Sequence, residues 1–414
     1  MSTPPGVDAP DIPAPGDAAM VPDAVALATG LTAGGWLTPD WADAWKRVDR
    51  AAFVPDRVWV PAPDGYHRLD RHDDPMRWRG LVHTDTALIT QVENGTAAPQ
   101  FSLYPTSSAS MPRMVASMLA HLDVREEHRV LEIGTGVGIT AALLATRLGD
   151  AAVVSVELDP AVAADARAAL HRAGLRPRLI VGDGTRGSAE HAPYDRVLST
   201  FSVHTIPPAW IAQTRPGGRI VTPWGSALYN GVLIALDVAT DPDGSPRASG
   251  PVVGDAAFMW ERGQGVRGGV MDTVREDDLG TAGTTTLDPR LLVDDRDAAF
   301  CTGLLVPGVR RSIGRPAGAA RGDDGEFTLW LVDADTHSWA CVDHTSGADV
   351  FETATHGPRP ILDEIEAALA WWIEHGRPER TRFGVTATPG TQTPWLDDPA
   401  NTLPTTDKRP DTRP

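Results

Sequence analysis

The sequence predicts an α/β fold: a doubly wound, mostly parallel sheet followed by a small α+β unit. Three observations carry this. Short apolar runs at 129–133, 152–157, 179–181, 196–199 and 219–221 are separated by segments of helical length. Strands spaced this way need right-handed crossovers and therefore pair in parallel. The first run enters a glycine-rich turn and then a helix, and beyond residue 263 the pattern changes to paired strands and one amphipathic helix.

In chain order, residues 1–22 are rich in Pro, Ala and Asp and poor in large apolar groups. They cannot bury enough surface to offset their ordering entropy, so disorder is expected there and again from about Asn401. Trp41, Ala44, Trp45, Val48 and Ala52 recur at helical spacing and predict a helix running into Phe53-Val54-Pro55. Residues 61–105, rich in Pro, Gly, Asp and His, read as irregular. Met114, Val115, Met118, Leu119 and Leu122 give an apolar helix face over 112–122, and further helices are expected over 138–148 and 160–173.

Residues 241–250 (DPDGSPRASG) read as a loop between apolar stretches at 232–238 and 256–259. The run GQGVRGG from Gly263 reads as the exit from a first domain spanning 23–262. A second region, 263–400, is expected to hold a strand pair (328–332, 339–342), a helix over 360–375 and a strand over 383–388. In that helix Ile361, Leu362, Ile365, Leu369, Trp372 and Ile373 share a face, with Gly376 closing it and Pro378 following.

Composition narrows the function classes. The 414 residues are 42% hydrophobic, and no run is long and apolar enough to predict a membrane span. No basic segment followed by an apolar core opens the chain, so a Sec signal is not expected. Two cysteines, Cys301 and Cys341, cannot build a disulfide framework, and a cytoplasmic setting fits. The net charge of −18 repels phosphate backbones and speaks against a nucleic-acid partner.

The chemistry concentrates at three turns. In Val130-Leu131-Glu132-Ile133-Gly134-Thr135-Gly136-Val137-Gly138 a buried strand meets three glycines, which permit a tight turn and close approach of a ligand to the backbone. Glu157 ends the second strand, where an acidic side chain can accept hydrogen bonds from two ribose hydroxyls. No lysine follows the glycines, so a triphosphate lacks its cation. Asp183 and Gly184 follow the third strand, the one suited to an adenine amino group and the other leaving room for the ring. Together these point to S-adenosylmethionine (SAM), with Glu132, Gly134, Thr135, Gly136, Gly138, Glu157, Asp183 and Gly184 as the expected cofactor-binding set.

The chain resembles the protein-L-isoaspartate O-methyltransferases. The resemblance rests on Leu131–Gly138, Gly182-Asp183-Gly184, Gly187, Ala192-Pro193-Tyr194-Asp195, Ile206-Pro207, Pro216-Gly217-Gly218-Arg219, Pro223-Trp224-Gly225, Arg50-Ala51-Ala52-Phe53-Val54-Pro55 and Ser110-Met111-Pro112. It covers roughly 30–262 and implies a seven-stranded, Rossmann-like SAM-dependent sheet. It also implies that Ser110 sits beside the reacting carboxylate as a catalytic and substrate-binding residue, with Ser108 and His204 as further substrate contacts. The other reading of Ser110 is an N-cap for the helix after Pro112, and one residue can serve both roles.

The segment 55–108 and Phe201-Ser202-Val203-His204-Thr205 depart from the family pattern, and the last 140 or so residues lie outside it. An enlarged protein of this kind resembles the actinobacterial homologues that accompany lanthipeptides and graspetides. Phe258-Met259, Arg262-Gly263 and Trp371-Trp372-Ile373 look like that group. The implied activity is carboxyl O-methylation of one Asp in an already macrocyclised precursor peptide, the ester closing to an aspartimide that persists or hydrolyses to isoaspartate.

Two alternatives remain: repair of isoaspartate in aged proteins, and an inactive SAM-binding recognition protein. A monomer is expected. No metal is expected: His337, Cys341 and His344 in THSWACVDH lack a fourth ligand, His191 and His204 lack ligand spacing, and Trp371-Trp372 read as core.

Overall fold

The computed structural model describes residues 24–62, 64–96, 99–265, 272–275, 277–315 and 325–404. The expectation of disorder over 1–22 lies outside them. A nine-stranded sheet forms the centre, in the order Gln392–Leu396, Phe383–Ala387, Pro246–Asp255, Asn230–Thr240, Thr214–Gly225, Tyr194–Ser199, Val130–Ile133, Val153–Glu157, Arg178–Val181. The last five run parallel and the first four add antiparallel pairings. The doubly wound α/β fold is thus present, with two strands more than the seven expected.

Alternation along the strands splits the core between the two faces of this sheet. Ile133, Val197 and Ile220 belong to a cluster with Trp210, Trp224, Phe300, Ile365 and Trp372. Val130, Leu198 and Val221 belong to another with Trp41, Trp45, Val115, Leu119 and Leu143. The amphipathic helix Pro112–Leu122 and the apolar Ile139–Leu148 cover this second face.

Four expectations need correction. Residues 57–109 are not irregular: they form a five-stranded antiparallel sheet, Phe101–Ser102, Gly65–Asp70, Arg57–Ala62, Leu88–Val92, Pro105–Ala109. Its strands are short and half-exposed, and Arg57–Ala62 pairs directly with Gly65–Asp70 as a hairpin. The loop at 241–250 is narrower: only 241–245 turns, with Asp243 accepting from the Ser245 N–H, and Pro246–Asp255 is a strand. The helix over Trp41 to Phe53 is Pro39–Arg47 followed by one turn at Arg50–Ala52. The tail is packed through 404, where Leu403 is buried and its N–H donates to Pro394 O.

The boundary at 262/263 does not divide the core. Phe383–Ala387 and Gln392–Leu396 return to the central sheet, and the helices Arg296–Leu305 and Ile361–Glu374 supply Phe300, Ile365 and Trp372 to its first face. Between them a third sheet, Thr281–Thr285, Phe351–His356, Ser338–His344, Phe327–Asp333, Arg310–Gly314, is wholly antiparallel. No helix among the described residues is long and apolar enough to cross a membrane.

Candidate active site

The carboxyl ends of three neighbouring parallel strands open into one cleft, lined by Gly134, Thr135, Gly136, Glu157, Asp183 and Gly184. Such a crevice at strand ends is where doubly wound sheets bind ligands. Gly134 and Gly136 have φ of +90° and +54°, values that favour glycine. A Cβ on Gly134 would come within 2.5 Å of Thr200 Oγ1. The Gly136 N–H donates to Glu157 Oε2 at 2.9 Å, and the Asp159 N–H to Glu157 Oε1 at 3.1 Å. Glu157 is therefore fixed at the mouth with lone pairs to spare.

Asp183 Oδ1 accepts from the Thr185 N–H and hydroxyl, ordering the third turn. The Trp210 indole donates to Gly184 O at 2.9 Å and holds that turn from beneath. A Cβ on Gly184 would collide with Ile133 Cγ2, which accounts for glycine there.

Ser108, on strand Pro105–Ala109, and Ser110, just after it, stand on the facing wall. The helix-capping reading of Ser110 does not hold. The helix begins at Pro112 with Met111 at its cap position, and Asp85 Oδ1 accepts from the Arg113 N–H at 2.8 Å. Asp85 does the capping, which leaves the Ser110 hydroxyl to the cleft.

The wall itself hangs on Arg50, a buried guanidinium donating to Val82 O, Thr86 O, Ala109 O and Ser110 O at 2.8–3.1 Å. Burial pulls its pKa down to about 10, with Asp85 opposing, so it stays charged at neutral pH.

Three expected contacts are placed elsewhere. Glu132 is fully buried beneath the glycine turn, where Ser155 Oγ donates to its Oε2 at 2.5 Å and Oε1 has no partner among the described residues. Burial raises its pKa to about 8, so it is a neutral acid under the turn. Gly138 does not line the cleft; its φ of +91° starts the helix Ile139–Leu148 close against Ala166. His204 does not line it either. Its ring stacks on Trp260 at 3.8 Å, Trp260 lines the cleft, and burial lowers its pKa.

The sequence motifs do not point to Thr200 or the segment Met259–Arg262 as cleft-lining, and both line it beside Phe201. Trp260 forms a single parallel bridge with Ser202, and the Ser202 N–H donates to Met259 O at 2.8 Å. Arg262 reaches Gln91 Oε1 at 3.4 Å, and Gln91 donates to Asp159 at 2.8 Å, which ties both walls to the rim beside Glu157. The aromatic and Arg content of 258–262 was the available signal. The trio His337, Cys341 and His344 does not converge. Cys341 and His344 have opposite parity on one strand, and His344 stacks on Phe327 at 4.6 Å.

Residues 83–245 match the family described as Protein-L-isoaspartate(D-aspartate) O-methyltransferase (PCMT). A relative of that name from Hyperthermus butylicus is 40% identical over 203 residues, 47% of this chain and 70% of the relative. The chain belongs to the protein-L-isoaspartate O-methyltransferase family. Another member, Protein-L-isoaspartate O-methyltransferase 1 of Anaeromyxobacter sp., is 48% identical over 134 residues, 32% of this chain and 62% of the relative. Against several such relatives the chain spans only 52–62% of their length. A solved protein-L-isoaspartate O-methyltransferase aligns with 91% of this chain and all of its own, at 20% identity and a TM-score of 0.49. The family match ends at residue 245, so Met259–Arg262 and everything beyond lie outside it.

Proposed function

We propose that the cleft binds S-adenosylmethionine and that the protein is a carboxyl O-methyltransferase of isoaspartyl or aspartyl residues in peptides or proteins. The carrying observation is the meeting, in one cleft, of the glycine turn, Glu157 and Asp183 with the uncommitted Ser110 hydroxyl. The donor set fits that ligand: a carboxylate at the second strand for ribose hydroxyls, another at the third for an amino group, and a turn whose glycine Gly136 leaves the side facing Ser108 O clear. Bound there, S-adenosylmethionine supplies the methyl group.

The chain's own residues do the rest. A substrate carboxylate with pKa about 4 is already ionised at neutral pH, so no general base is required. Ser110 donates a hydrogen bond that orients this carboxylate. Phe201, Met259 and Trp260 strip water from it and hold the reactants in line, an arrangement worth about 7–11 kcal/mol when orientation is good. Glu132, neutral and buried, keeps charge away from the underside of the turn.

The broader substrate reading, isoaspartate, is supported by the family relatives. A narrower one, a single Asp in a macrocyclised ribosomal peptide, rests on the sequence resemblance of the region that the family match does not reach. There the following amide nitrogen attacks the methyl ester carbonyl and loses its proton as methanol leaves, giving an aspartimide. Incubation with S-adenosylmethionine and either an isoaspartyl peptide or a macrocyclised Asp-containing precursor separates the readings by mass. Methylation of the isoaspartyl peptide, with the precursor neither gaining a methyl group nor losing water, rejects the narrower reading. Unchanged mass of both peptides together with no release of S-adenosylhomocysteine rejects the methyltransferase proposal.

A further inference from the structure

The third sheet gathers three side chains that the cleft does not use. Asp278 precedes strand Thr281–Thr285, His337 sits in the turn between Phe327–Asp333 and Ser338–His344, and His356 ends Phe351–His356. Their ligating atoms all lie within 4.8 Å of one another. Asp278 Oδ1 is 3.3 Å from His337 Nε2 and 3.6 Å from His356 Nε2. These separations are long for charge-assisted hydrogen bonds, which close to about 2.7–2.9 Å. They match ligands around one tetrahedral ion, since bonds near 2.0–2.1 Å place neighbouring donors roughly 3.3 Å apart.

The groups behind the three ligands aim them. The His356 Nδ1 lies 3.2 Å from Leu279 O; a carbonyl only accepts, so Nδ1 carries the hydrogen and neutral His356 presents its Nε2 lone pair. The Trp339 indole stacks on the His356 ring, centroids 5.6 Å apart, and donates to Asp278 Oδ2 at 2.9 Å. The Arg275 N–H donates to the same oxygen, which leaves Oδ1 turned to the two imidazoles.

We propose that Asp278, His337 and His356 bind a divalent transition-metal ion of the Zn²⁺ class, clipping together three strand ends of the third sheet. Two imidazoles and one carboxylate suit such an ion, and the partial exposure of His337 leaves a position for water. The site shares no residue with the cleft and does not depend on the function proposed for it.

The test uses the full chain, dialysed against chelator and titrated with Zn²⁺ by calorimetry and with Co²⁺ by visible absorption. One equivalent should bind, with intense tetrahedral Co²⁺ bands. His337→Asn and His356→Gln should each weaken it about a hundredfold or more, and His67→Gln should leave it unchanged. Asn tolerates the φ of +50° at position 337, so that variant keeps the turn even if His356→Gln fails to fold. An absence of stoichiometric binding to the parent, or binding that His337→Asn leaves intact, overturns the proposal.

Discussion

At the scale of single residues, the two groups that matter most make opposite use of burial. Arg50 is buried with its hydrogens on four carbonyls, so it keeps its charge and holds the Ser110 wall in place. Replacing it with Leu leaves those carbonyls unpaired, at roughly 1–3 kcal/mol each, and the melting temperature should fall by many degrees.

Glu132 is buried with too few partners and is neutral instead. Its folded pKa of about 8 lies above the ordinary 4.5, so the folded state holds a proton that the unfolded state releases between those values. Stability should therefore decline from about pH 4.5 to about 8, and Glu132→Gln should remove the decline. Thermal melts of both proteins at pH 5 and pH 8 check this: the variant's advantage should be larger at pH 8.

Ser110→Ala tests the free hydroxyl. Methyl transfer should slow about ten- to a hundredfold, the worth of one hydrogen bond to a charged group, while S-adenosylhomocysteine binding stays unchanged.

At the scale of elements, the inner parallel strands Val130–Ile133 and Val153–Glu157 were legible because burial on both faces leaves apolar runs, and the turns because Gly134, Gly136, Glu157 and Asp183 each sit where a strand ends. The 57–109 sheet was not legible. Its strands show half-exposed faces to solvent, and the long-range pairing of Leu88–Val92 with Pro105–Ala109 leaves no local signature. The same gap hid Asp85, whose capping of a helix 28 residues onward depends on that sheet. Asp85→Ala should cost about 1 kcal/mol of stability, read as a lowered denaturation midpoint. It should also lower kcat, because the freed helix end no longer fixes Ser110.

At the scale of the molecule, a linear reading placed a boundary at 263 that the core does not respect. Phe383, Val385 and Leu396 are far in sequence from the parallel strands yet form buried strands of the same sheet, and Arg380 bonds Asp255 and Asp297 from outside. A composition change marks where the chain leaves a sheet but not whether it returns. A chain ending before Phe383 should consequently aggregate, having bared the edge of Pro246–Asp255 and the apolar face beside it; size-exclusion chromatography reads this directly.

The proposed methyl transfer depends on three strand tips holding a nucleoside between the glycine turn and Glu157. Calorimetric titration of the purified chain with S-adenosylhomocysteine tests it most directly. The predicted result is one site per chain, weakened about ten- to a hundredfold in Glu157→Ala. Absence of binding, or binding indifferent to that replacement, would contradict it.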